Sequence, residues 1–179
     1  MAVPNSLVRY GPLLQAGYDT GRYAVAASQV IKAGDFLTLS SGLAAQLVAA
    51  TATTATATAT GSQTAILGIA LHDITTGSSV TDADKVMVAI ANDKLNVALR
   101  FYAASGGNAE VQDASIGGIY GLERYTPASG TADAFYVAAI GETTSTNLIY
   151  RERCRDSAVA DDFGLGFFGV VQAKRELDQ

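Results

Sequence analysis

The sequence predicts an all-β protein: an antiparallel β-sandwich or barrel-like domain, with a smaller β-lobe and an extended N-terminal arm. Three observations carry this. Apolar residues recur with a period of two in short runs, as in Val86, Val88 and Ile90 against Met87 and Ala89, which is the period of a half-buried strand. Clusters of Gly, Asp, Asn, Ser and Thr, the residues that turn a chain, separate those runs. No helical period persists beyond about three turns, and the best helical candidate is the short "GLAAQLVAA" at 42–50.

At 179 residues the chain suffices for one domain with a real core or for two small lobes in contact. Apolar residues make up 49% and charged residues only 16%, below the globular norm of about 25% charged. That excludes a disordered chain and predicts a largely neutral surface, part of it covered by other subunits. Twelve Lys and Arg against seventeen Asp and Glu give a net charge of -5, which argues against nucleic acid as a partner, because phosphate binding relies on clustered cations. No apolar run approaches the ~20 residues that span a bilayer, so no membrane partner is expected. The N-terminus lacks the basic and apolar regions of a signal peptide, and the single cysteine, Cys154, allows no intrachain disulfide. Stability is then expected from packing or assembly.

Residues 1–24 hold two prolines, three glycines and three tyrosines without sustained periodicity, and are read as an extended arm. Tyrosines are amphipathic anchors enriched at interfaces, so Leu7, Tyr10, Leu13, Leu14, Tyr18 and Tyr23 are the expected protein contacts. The competing reading folds the arm back onto its own domain. Residues 25–104 read as a meander. An apolar run at Val30 and Ile31 is followed by a turn at Ala33-Gly34-Asp35, a strand through Phe36, Leu37 and Leu39, a turn at Ser40-Ser41-Gly42 and a strand to Leu47. "AILGIALHDI" follows, then "KVMVAIAN" and "LNVALRFYA", read as a hairpin about the Asn-Asp-Lys turn with Leu95, Val97, Leu99 and Phe101 on one face.

Between these runs, residues 51–60 are only threonine and alanine. Threonine favours strands and alanine helices, and neither supplies a core side chain, so 51–62 is read as a pliable loop or exposed hairpin tip. After a boundary at 105–110, the smaller lobe of 105–179 holds "IYGLERY", "AFYVAAIG", "NLIYRERC" and a final strand in "FFGVVQAKRE".

Chemistry-bearing patterns are few. "GLGFFG", Gly164 to Gly169, has dinucleotide-fingerprint spacing, but that motif must open a helix within a βαβ unit, and too little chain follows. His72, the only histidine, neighbours Asp73, yet adjacent strand residues point to opposite faces, and no nucleophile elbow exists to complete a dyad. One His and one Cys make no zinc site. Asp82 with Asp84, or Asp156 with Asp161 and Asp162, offers oxygens for calcium without EF-hand spacing. A glycosidase pair of carboxyls finds little aromatic platform around it. Arg151, Arg153 and Arg155 share one face if 149–154 is a strand, either to meet an acidic partner or as a solvated edge. The expectation is a protein without catalytic residues, metal or cofactor.

The run "QVIKAGDFLTLSSG…ILGIALHDITTGSSV…KVMVAIANDKLNVALRF", spanning Val30 to Phe101 with Gly34-Asp35 and Gly68-Ile69-Ala70, resembles the small β-rich decoration, or cement, proteins of tailed-phage capsids. The Ala/Thr run and the half after 105 depart from the short members of that family. The resemblance implies no catalysis. It implies a structural virion protein, made in the host cytoplasm, that binds the outside of an assembled capsid and clamps neighbouring subunits of the major capsid protein. Such proteins act as homo-oligomers, with a trimer favoured and a dimer as the other case. The alternative function is a carbohydrate- or receptor-binding β-sandwich of a phage fibre or cell surface, for which Phe101-Tyr102 and Phe135-Tyr136 each offer one outward ring.

Overall fold

The computed structural model describes residues 17–47, 57–59, 65–103, 113–125, 135–140, 148–153, 164–171 and 175. The strands are β1 (Thr20–Ala24), β2 (Val30–Ile31), β3 (Phe36–Ser40), β4 (Leu43–Gln46), β5 (Ala57–Ala59), β6 (Gly68–Ala70), β7 (Ile74–Thr75), β8 (Lys85–Ile90), β9 (Val97–Ala103), β10 (Ile119–Tyr125), β11 (Phe135–Ile140), β12 (Leu148–Arg153) and β13 (Leu165–Val170). One 3-10 turn at Asp113–Ser115 is the only helical element among the described residues. The protein is all-β.

Alternation decides what each strand of the first sheet buries. That sheet runs β1-β8-β6-β3-β4, antiparallel throughout. Its two edges meet where Val25, just past β1, bridges Ala44 of β4 in parallel and the Ala26 N–H donates to the Ala44 carbonyl at 2.9 Å. Inside this curl sit Val25, Ile31, Leu37, Ala44, Leu67, Ala70, Val86 and Val88, all fully buried. The other face of the same strands supplies Phe36, Ile69 and Ala89 to a second, larger core. The β3–β4 turn is the tight one expected at Ser40-Ser41-Gly42: Ser41 and Gly42 both have positive φ, +52° and +81°, as a two-residue hairpin loop demands. This turn and the pairing of Leu39 with Ala44 make a strand of the short "LAAQ" segment, against the helical preference of its alanines.

The second sheet runs β11-β9-β13-β12-β10-β5, and β10 also pairs with β11, so β9, β13, β12, β10 and β11 close into a small barrel. Its one parallel contact is β9 with β11. Leu99, Phe101, Leu122, Ala138, Leu148, Tyr150, Phe168 and Val170 belong to one core together with Phe36 and Ile69 of the first sheet and with Leu47 and Ile66, which flank its strands. Tyr136 of β11 ties the sheets further: its hydroxyl donates to the Leu47 carbonyl and its ring meets Phe36 edge-on at 5.2 Å.

One expectation is corrected here. β8 and β9 do not pair with each other: β8 lies between β1 and β6, whereas β9 lies between β11 and β13. The Asn92-Asp93-Lys94 turn is instead held by Asp19, whose carboxylate accepts from Asn92 Nδ2 at 2.7 Å and Lys94 Nζ at 3.1 Å. Leu95 after it is fully buried in the larger core, so the chain crosses from one sheet to the other at this point. The change of sheet therefore falls between β8 and β9. Within the Ala/Thr run, Ala57–Ala59 is a strand, pairing with Glu123, Arg124 and Tyr125 where β12 no longer accompanies β10; the rest of 51–62 lies outside the described residues apart from these three.

A buried carboxylate fixes the turn before β3. Asp35 is 1% exposed, and its Oδ2 accepts from the Lys32 N–H at 2.8 Å and from Gln46 Nε2 at 2.6 Å. Removing it leaves both donors without that acceptor in a site closed to water. Asp35→Ala is expected to lower stability by about 1.5–3 kcal/mol, and Asp35→Asn by less because one oxygen acceptor survives. Urea denaturation of the two variants beside the parent checks this; equal midpoints for all three would refute it.

Candidate functional site

Of the six residues expected to contact a partner, Leu7, Tyr10, Leu13 and Leu14 lie outside the described residues. The other two are half-buried within the chain itself: Tyr18 packs against the larger core and Tyr23 against the smaller one. Residues 20–24, assigned to the arm from sequence, form β1 and pair with β8 in register Thr20↔Ala89 to Ala24↔Lys85. This part of the arm is a barrel strand because its odd positions meet the barrel interior. The Tyr23 ring also lies over Gly21, where an added Cβ would come within 2.7 Å of it.

Two of the three clustered arginines, Arg151 and Arg153, are bonded within the fold. Arg151 sits at a bulge in β12, between the pairs Tyr150↔Phe168 and Glu152↔Phe167. Its NH1 donates to Asn96 Oδ1 at 2.6 Å and to the Asp93 carbonyl at 2.8 Å. Burial first, then the nearby charge of Arg175, pulls its guanidinium below the usual value, while Asp93 pushes it back up. Arg153 pairs with Asp113 at 3.0 Å, both partly exposed. Arg155 lies outside the described residues.

"GLGFFG" is β13 with the residue before it, a strand between β12 and β9 and not a phosphate-binding turn. A Cβ at Gly166 would come within 2.7 Å of Tyr150, 2.8 Å of Phe101 and 3.1 Å of Phe168, so ring packing explains this glycine. His72 and Asp73 form no side-chain dyad. The Met87 N–H donates to His72 Nε2 at 3.1 Å, which places the ring proton on Nδ1, 3.1 Å from the Asp73 carbonyl. The Asp73 carboxylate instead accepts from the Ala33 N–H at 2.8 Å and from Lys32 Nζ at 3.1 Å. Asp84 accepts from the Thr81 hydroxyl at 2.7 Å. No group of three or more His, Cys, Asp or Glu among the described residues is arranged to hold a metal ion. Phe101 and Tyr102 are 1% and 9% exposed, so this pair presents no ring outward, and Tyr136 is buried as well.

Sequence reasoning missed one surface. On the outer side of the β1–β8 pair, Arg22 stands directly opposite Met87, and Lys85 is two residues along β8 on the same side. All three are exposed, Met87 at 37%. His72 borders this face through its bond to Met87. Its signal was present in "KVMV", where Lys85 and Met87 alternate with the buried Val86 and Val88, but Arg22 joins them only once β1 is a strand. A second exposed apolar spot is formed by Ile116 at 49% and Ile119 at 52%, with the half-buried Ile149 paired across from Ile119.

Compared with protein-family models, with curated proteins and with solved structures, the chain matches none.

Proposed function

We propose that this protein is a structural virion protein that binds the outside of an assembled capsid and clamps neighbouring subunits of the major capsid protein. The observation that carries the reading is that, within the stretch resembling phage cement proteins, Val30 to Phe101, the Gly34-Asp35 turn and the Gly68-Ile69-Ala70 strand are adjacent in the fold of an all-β chain. The Gly34 N–H donates to the Ala70 carbonyl at 2.8 Å and the Ala70 N–H to the Asp35 carbonyl at 2.9 Å. Low charge and one shared core over two sheets suit a rigid clamp. Binding only the assembled shell stabilises it by mass action, and repeated lattice sites add avidity.

The apolar residues of 1–16, Leu7, Tyr10, Leu13 and Leu14 among them, are the proposed contact with a neighbour. Cosedimentation with capsids lacking the chain tests the reading. Saturable uptake at a fixed ratio to the major capsid protein is expected, with a fall in occupancy on deleting residues 2–16. No uptake by the full chain overturns the cement role, and unchanged occupancy of the deletion overturns the arm contact.

A further inference from the structure

From the outer face of β1 and β8 we infer that Arg22, Met87 and Lys85 form a docking surface for an acidic segment of a partner protein. Within the capsid-binding reading, on which the identity of that partner rests, this is the face turned towards the shell.

The argument begins with the other cations. Lys32 pairs with Asp73, Lys94 with Asp19 and Arg153 with Asp113, and Arg151 is bonded to Asn96 and the Asp93 carbonyl. Among the described residues, Arg22 and Lys85 are exposed and make no ion pair or side-chain hydrogen bond. They are also neighbours. Arg22 opposes Met87, so its Cβ lies about 5 Å from that of Met87, and the diagonal from Arg22 to Lys85 is roughly 7–8 Å. Their side chains leave the same face of two paired strands, so one anion docked over Met87 can meet both cations at once. Of the carboxylates nearby, Asp84 accepts from Thr81, Asp19 from Lys94 and Asn92, and Asp73 from Lys32 and Ala33, and none of these three pairs with Arg22 or Lys85.

The apolar centre specifies the kind of anion. Met87 is exposed between the two cations, and methionine accommodates varied side chains through its flexible, polarisable thioether. His72 closes the side towards β6 with a ring whose Nε2 already accepts from the Met87 N–H. Two cations flanking an apolar residue match a peptide carrying carboxylates around an apolar side chain. They do not match a phosphate backbone, which gains affinity from a long row of cations releasing counterions and offers no apolar side chain for Met87.

The test uses the full chain, labelled with nitrogen-15 and titrated with an acetylated Glu-Glu-Leu-Glu-Glu peptide at low and high salt, alongside a 12-base-pair DNA duplex. Expected are chemical-shift changes confined to Arg22, Met87, Lys85 and His72, weakened by salt, and a roughly tenfold loss of affinity in the Arg22→Glu/Lys85→Glu double variant. The milder Arg22→Gln/Lys85→Gln pair should lose affinity in the same direction and guards against a folding defect in the charge reversal. Changes centred elsewhere, no binding, an unaltered affinity in both variants, or tighter binding of the duplex at this face would each overturn the inference. Because no capsid takes part, its failure is distinct from failure of cosedimentation.

Discussion

Replacing Gly68 by alanine will lower stability by about 3 kcal/mol or more, at the upper end of what overpacking costs. The cause is a backbone approach, not a loose side chain. A Cβ on Gly68 would lie 2.0 Å from the Ala89 carbonyl oxygen, 2.9 Å from its carbon and 2.7 Å from Val88 Cγ1. β6 pairs with β3 on one side, where Leu37 opposes Gly68, and with β8 on the other, where Ile90 opposes it. Relief therefore requires β8 to move. Val88 points into the smaller core and Ala89 into the larger one, so the shift disturbs both. Gly77→Ala is the control, since an added Cβ there meets nothing within 4 Å, and its effect should stay within about 0.5 kcal/mol. Equal urea midpoints for the two variants would show that β8 yields without loss.

Phe101→Ala will cost about 3–5 kcal/mol, and its coupling to Gly166 identifies the reason. The Phe101 ring is the hub of the second barrel, meeting Tyr120 at 5.5 Å, Tyr150 at 5.1 Å and Phe168 at 5.1 Å, each edge-to-face. Such contacts add to the burial of the ring itself. Gly166 is the space into which these rings fit, so Gly166→Ala alone should cost about 1–3 kcal/mol. Combining the two changes removes one of the rings the new methyl would strike. The double variant should then be more stable than the sum of the singles by about 1 kcal/mol. Strict additivity, measured by calorimetry on all four proteins, would disprove a shared cause.

Legibility in the sequence followed the range of the interaction. The β3–β4 turn was visible because Ser41-Gly42 is a local device, and the in-out pattern of β8 was visible because Val86 and Val88 alternate with Met87. Long-range partnership was not visible. The period of two says which face of a strand is buried but not which strand lies beside it, so β8 and β9 read as a hairpin although they belong to different sheets. Neither was the surface formed by Arg22, Met87 and Lys85, because Arg22 reaches it from about sixty positions away through a strand that read as an arm.

By itself the sequence determined that the chain is all-β, with turns at Gly34-Asp35 and Ser41-Gly42, and it explained why Leu95, Val97, Leu99 and Phe101 share a face. These follow from side-chain period and turn stereochemistry, which act between neighbours along the chain. Only the tertiary structure decided that Ala57–Ala59 joins the second sheet, that Gly68 and Gly166 admit no side chain, and that one core runs across both sheets. Those outcomes depend on which surfaces exclude water together and how closely backbones approach. Such quantities belong to the packed molecule and have no counterpart in any short stretch of its sequence.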